Sequence, residues 1–174
     1  ITGWSLDTTA ETAISTAFGE TWESSNVGLT DFNVSAEGFS QIALDTDLIL
    51  GTAGALVLGL NGAASHAFTA NALLTSISET VGVNGNGKIS YGFEGSDTGG
   101  MVYGAATGVG AAASGTSFHG KHCKAMKVDV TFTDFREWTV SMSCATADVT
   151  AVHATLSGRL RLAGFKSATA SVTC

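Results

Sequence analysis

DFNVSAEG, residues 31–38, alternates without interruption: Phe32, Val34, Ala36 and Gly38 share one parity, and Asp31, Asn33, Ser35 and Glu37 the other. Successive side chains of a β-strand point to opposite faces, so a period of two predicts one face towards a core and the other away from it. The pattern returns along the chain. Ile89, Tyr91 and Phe93 alternate with Ser90, Gly92 and Glu94; Met126, Val128, Val130 and Phe132 alternate with Lys127, Asp129, Thr131 and Thr133. Trp138, Val140, Met142 and Cys144 alternate with Thr139, Ser141 and Ser143, and Leu160 and Leu162 with Arg159 and Arg161. Half-buried antiparallel strands have this signature. The expected class is all-β, mainly antiparallel, as a sandwich or barrel-like sheet.

Turn chemistry agrees. VNGNGK, Val83 to Lys88, places two Asn-Gly pairs between alternating runs, and Asn-Gly suits a hairpin because it tolerates positive φ. No window keeps a clean 3.6-residue period, so helix is expected only as a short flanking piece in Gln41 to Leu50. Two stretches read as long loops. Ile14 to Gly28 carries Phe18, Gly19, Trp22 and two glutamates without alternation, and Gly95 to Gly120 holds eight glycines among small residues. Loops of that length in a compact domain are usually functional or linkers. A short echo, Thr-Asp-Phe entering an alternating run at both Thr30–Phe32 and Thr133–Phe135, is consistent with two related β halves. The organisation expected is one β domain over residues 1–174. A possible division within it separates residues 1–96 from 121–174 across the glycine-rich 97–120.

At 174 residues, 44% hydrophobic and 13% charged, the chain can bury a sizeable core and lacks the composition of disorder. The longest apolar run, Ala53 to Leu60, is interrupted by Gly54 and Gly59 and is far short of the roughly 20 residues a membrane helix needs. The chain opens on Ile1 rather than Met, which fits processing or trimming. Net charge is −7, which disfavours ordinary nucleic-acid binding through neutralised phosphates. The charge is also lopsided: up to Asp97 there are 11 acids and one base, Lys88, whereas the remainder holds 7 bases and 4 acids.

Catalytic chemistry finds little material. Cys123, Cys144 and Cys174 match no zinc or redox spacing; an odd count permits at most one internal disulfide, and buried free thiols are expected. His66, His119, His122 and His153 lie in no nucleophile-elbow pattern. HGKHC, His119 to Cys123, offers soft ligands close together but lacks a fourth ligand and has Lys121 within it and Lys124 after it, so a polar loop end is the better reading than a zinc site. GNGKIS lacks the spacing of a phosphate-binding loop. The chain is therefore expected not to be an enzyme and to carry no metal or cofactor. Trp4 and Trp138 sit on the apolar phase of strands and are expected in the core, while Trp22, in a loop, suits an interface.

The opening segment, ITGWSLDTTAETAISTAFGETWESSNVGLTDFNVSAEGFS (Ile1 to Ser40), resembles the start of the major tail tube proteins of long-tailed, siphovirus-like bacteriophages. The likeness lies in Trp4-Ser5, an acidic Thr-rich segment, Phe18-Gly19 followed by Trp22, Gly28-Leu29 entering a strand, and Glu37-Gly38-Phe39 closing it. ALLTSISETVGVNGNGKISYGFEGS (Ala72 to Ser96) is similar to the family's later hairpin, and the likeness spans roughly the first 96 residues. It implies a β-sandwich with a flanking helix, self-assembling into stacked hexameric rings whose inner strands line a channel for genomic DNA. The implied partners are other copies of the chain, other tail proteins and double-stranded DNA passing non-specifically, with no membrane insertion. The implied location is the virion tail, after assembly in the bacterial cytoplasm.

Two physical considerations fit that expectation. A conduit should not grip its cargo, so an acidic lumen is useful, and Asp31, Asn33, Ser35 and Glu37 are candidates for it. A ring subunit must reach its neighbours, and Phe18, Gly19, Glu20, Trp22 and Glu23 form a candidate inter-subunit loop. The alternatives are a head decoration or tail terminator protein, or a secreted monomeric β-sandwich that binds carbohydrate or acts as an adhesin.

Overall fold

The computed structural model describes residues 2–15, 22, 24–40, 48–59, 66–97, 99–105, 125–127, 130–132, 136–150 and 157–174. Within them the fold is all-β and no helix occurs. In chain order the strands are β1 (Gly3–Ile14), β2 (Ser25–Phe39), β3 (Ala53–Gly59), β4 (Ala67–Gly82), β5 (Lys88–Gly95), β6 (Val102–Gly104), β7 (Ala125–Lys127), β8 (Val130–Phe132), β9 (Glu137–Asp148) and β10 (Arg161–Thr173). Eight of them form one open antiparallel sheet along the path β1-β2-β5-β4-β9-β10, with β3 and β6 added on β4; β7 and β8 pair with each other.

The alternation quoted first is read out residue by residue. From Phe32 to Ser40 every even position is buried and every odd one exposed. Phe32 and Val34 are each 3% exposed and anchor the core with Leu58 of β3 and Ala70 and Ala72 of β4. Strand β4 makes this core possible. Its first half pairs with β3 and β6, and its second half with β5 and β9. Between them the register slips at Leu74/Ser76. A bulge bends the strand that carries it, so β3, the first half of β4 and β6 fold across the apolar face of β1, β2 and β5. Trp4 and Phe68 then meet edge to face, ring centroids 6.4 Å apart.

A second crossing closes the same end of the sheet from the polar side. Residues 157–161 run beside Thr30: the Thr30 amide donates to the Ser157 carbonyl at 2.8 Å and the Arg159 amide to the Thr30 carbonyl at 3.2 Å. Asp97 in turn donates its amide to the Arg159 carbonyl at 3.1 Å. Gly158 is required at this crossing, because a Cβ there would sit 1.9 Å from the Asp97 carbonyl oxygen.

Several expectations change. Ser25 to Gly28 are strand, so the first arm is shorter than Ile14 to Gly28; the β1–β2 ladder already pairs Ile14 with Ser25. The glycine-rich segment contains β6, whose Val102 pairs with Thr69. The alternating run from Met126 is two strands rather than one, since Lys127 pairs with Val130 and the chain reverses. Period two reports which face a residue takes and is blind to reversal. The β4–β5 hairpin forms where expected, closing at Thr80 and Lys88, but the positive-φ glycines among the described residues are Gly51 and Gly100. Its longer loop needs none. Leu48 to Leu50 are not helical, and the rest of the expected helix, 41–47, lies outside the described residues. So do Thr133–Phe135 of the echo and Cys123; Cys144 is a buried free thiol and Cys174 an exposed one.

Candidate functional site

Register carried across the sheet assembles a continuous polar face. One row runs Ser5, Ser35, Gly92, Ser76, Ser143, Ser167 from edge to edge. The next runs Gly3, Glu37, Ser90, Ser78, Ser141, Thr169, and a third Phe39, Lys88, Thr80, Thr139, Ser171, in which Phe39 is an exposed apolar exception. The hydroxyls pair across strands: Ser5 with Ser35 at 2.7 Å, Ser78 with Ser141 at 3.1 Å, Thr80 with Thr139 at 3.2 Å and Ser143 with Ser167 at 2.8 Å. Such pairs stabilise a sheet by roughly 0.2–1 kcal/mol each. They also occupy the hydroxyls, leaving a surface that is hydrophilic but makes no strong demand on a ligand. The opposite phase holds Ala36, Tyr91, Ile77, Met142 and Ala168 in one row and Val81, Trp138 and Val172 in another. Trp138 lies on the apolar phase and, like Trp4, is half-buried.

Of the four residues expected on this face, Asn33, Ser35 and Glu37 are exposed. Asp31 is held instead at the crossing. Arg161 donates both terminal nitrogens to its carboxylate, at 2.7 and 2.5 Å. The same guanidinium bonds the Gly95 carbonyl at 2.8 Å and lies 3.3 Å from Glu94. The hydrogen bonds from Arg161 hold the Asp31 carboxyl below its usual range, against the opposing pull of partial burial. The alternation expected at Arg159–Leu162 is therefore inverted at its end: the Arg161 side chain is 13% exposed and Leu162 58%. Two carboxylates on neighbouring strands outweigh the apolar preference of Leu162, because burying an arginine is tolerated only when it is paired.

A neighbouring cluster joins Arg159 to Glu11 and to Asp148, the latter at 2.6 Å. Hydrogen bonds from the side chain and amide of Thr150 lower the Asp148 carboxyl to about 2. These arginines fasten the two ends of the sheet path together, from β1 and β2 to β9 and β10.

Of the proposed inter-subunit loop, Trp22 is 85% exposed, while Phe18, Gly19, Glu20 and Glu23 lie outside the described residues. His119 to Cys123 lie outside them as well. Among the described residues no cluster of His, Cys, Asp or Glu is arranged to hold a metal, and no helix is long and apolar enough to cross a membrane. Sequence reasoning missed the Arg161 clamp and the long polar rows of β4, β9 and β10. The alternating hydroxyls of Ser141, Ser143, Ser167, Thr169 and Ser171 were the available signal for the rows.

No protein-family model matches the chain, and no curated protein matches it either.

Proposed function

We propose that the chain is a non-enzymatic structural subunit of a phage tail, assembling into stacked rings that form a tube for genomic DNA. The supporting observation is the two-faced sheet. One surface, six strands wide on the main path, carries rows of paired hydroxyls, and its other side is mainly apolar, with Glu79 and Lys166 among its rows. A lumen for a polyanion should be wetted but weakly binding, and this face presents Ser and Thr with the acids Asp7, Asp31, Glu37, Glu94 and Glu137 against Lys88 and an Arg161 held by Asp31 and Glu94, among its described residues. Phosphates approaching such a surface meet mild repulsion and no guanidinium clamp, since Arg159 and Arg161 are engaged by carboxylates. The resemblance of the first 96 residues to tail tube proteins supplies the ring architecture, with six copies per ring and other tail proteins as further partners.

Negative-stain electron microscopy of the purified chain, beside a sizing column at low and high concentration, tests this reading. Hollow filaments or stacked rings are expected. A monomer at every concentration overturns self-assembly and favours a head decoration protein or a monomeric binding module, which a glycan pull-down then separates.

A further inference from the structure

The loop between β4 and β5 contains two Asn-Gly pairs, Asn84-Gly85 and Asn86-Gly87. This dipeptide forms turns, and it is also chemically reactive. Glycine has no Cβ to crowd its own amide, so its nitrogen can reach the side-chain amide carbon of the asparagine before it. The two pairs are alike in sequence, and the fold treats them differently.

Asn84-Gly85 is open. Asn84 is exposed, and a Cβ built on Gly85 would meet nothing within 4 Å. The Gly85 amide is tied by one turn bond, to the Gly82 carbonyl at 3.2 Å, at the long limit of a protein N–H···O bond. Asn86-Gly87 is held more tightly. Gly87 is buried, and its carbonyl accepts from the Ser40 amide at 2.9 Å. The next residue, Lys88, is already in the sheet, opposite Phe39 of β2 and Thr80 of β4. Turning the Asn86-Gly87 peptide towards the Asn86 side chain would displace Gly87, and with it the Ser40 bond and the entry to β5.

We propose that Asn84 is a self-modifying site, converted to a carboxylate in the folded protein while Asn86 is preserved. The Gly85 nitrogen attacks the side-chain carbonyl carbon of Asn84. The new C–N bond closes a cyclic imide, and the side-chain nitrogen leaves as ammonia, taking the proton from the Gly85 amide. Water then opens the imide at either carbonyl. One opening leaves aspartate in an ordinary main chain; the other leaves isoaspartate, with the main chain running through the former side chain. The only reactants are the chain and water. The product carboxylate joins the wall of a hollow of about 480 Å³, which Asn84 lines with Gly85, Arg136, Glu137 and Thr173. Arg136 has no ion pair among the described residues, and its main chain ties this loop to the end of β10. The Val83 amide donates to the Arg136 carbonyl at 2.8 Å, and the Arg136 amide to the Thr173 carbonyl at 2.7 Å. A carboxylate at position 84 gives that guanidinium a counter-ion, against repulsion from Glu137. Each copy thereby gains one negative charge at the seam where β4, β9 and β10 meet.

The test is to age the purified chain at neutral pH, folded and in parallel unfolded in urea, then digest it and map each asparagine by mass spectrometry. Replacement of the side-chain NH2 by a hydroxyl oxygen is read as a mass gain, and fragmentation separates isoaspartate from aspartate. In the folded chain, conversion is expected at least about tenfold faster at Asn84 than at Asn86, since the more tightly held pair must first open locally. In urea the two are expected to convert at similar rates, because only the fold distinguishes them. Asn84→Gln, whose longer side chain disfavours the ring, is expected to remove the modification from the loop peptide of the folded chain, and Asn86→Gln to leave it. A third pair, Asn61-Gly62, lies outside the described residues; its peptide is mapped separately. Equal or faster conversion at Asn86 in the folded chain overturns the proposal, as does an unchanged Asn84 over a period in which the unfolded chain converts. None of these outcomes depends on whether the chain assembles.

Discussion

Strands β2 and β10 carry the same kind of pattern and meet different fates. In β2, odd and even positions separate into exposed and buried along Phe32–Ser40. In β10, Ser167, Thr169 and Ser171 alternate with Ala168, Ala170 and Val172, yet every residue from Leu162 onwards is exposed. β2 lies between β1 and β5 with β3 and β4 packed over its apolar phase, whereas among the described residues β10 pairs with β9 alone. Alternation assigns a residue to a face; a neighbouring layer and a second flanking strand decide whether that face is dry. Among the described residues β10 has the pattern of a half-buried strand without the layer and second flanking strand that make β2 dry.

The difference between the interior and the edge can be broken by mutation. Phe32→Ala should have the largest effect on folding, about 3–5 kcal/mol by removal of a buried aromatic ring and the cavity left behind, read as a lower urea midpoint. Gly158→Ala should cost about 3 kcal/mol, since its Cβ meets backbone at the crossing and cannot be accommodated by a side-chain rotation. Arg161→Met should lose about 2 kcal/mol, because Asp31 and Glu94 are left half-buried without their cation. By contrast Phe165→Ser, on a side chain that is 93% exposed, should change stability by no more than about 0.5 kcal/mol. Equal losses of stability at Phe32 and Phe165 would erase the distinction between the two strands.

The smallest expected effect is that of pH. Asp31 and Asp148 have folded pKa values below their unfolded ones, so the contribution of each is complete above the unfolded value near 4 and is lost as pH falls towards the folded value. Urea midpoints should be flat with respect to these two groups from pH 7 to 5 and decline below about pH 4. In Arg161→Met the Asp31 part of that decline should vanish; an unchanged acid limb would remove the clamp from the account of stability.

Asp31 to Gly38 shows how far local reading reaches. Its side chains needed only the geometry of a strand, and all eight keep the phase that their parity assigns. Asp31 differs in being half-buried, because an arginine 130 positions later covers and bonds it, and nothing within eight residues of Asp31 encodes that partner. The same limit hid the reversal at Lys127–Val130 and the three-residue β6, whose pairing with Ala67–Thr69 comes from residues distant in sequence.

The class of the fold, the phase of its main strands, the hairpin at Val83–Lys88 and the polarity of charge along the chain were determined by sequence alone, because each depends on near neighbours or on composition. The order of the strands, the bend in β4, the crossing at Gly158 and the Arg161 clamp were decided only by tertiary structure. Those features depend on which distant segments pair, and the hydrogen bonds and ion pairs that settle it exist only once the chain has folded back on itself.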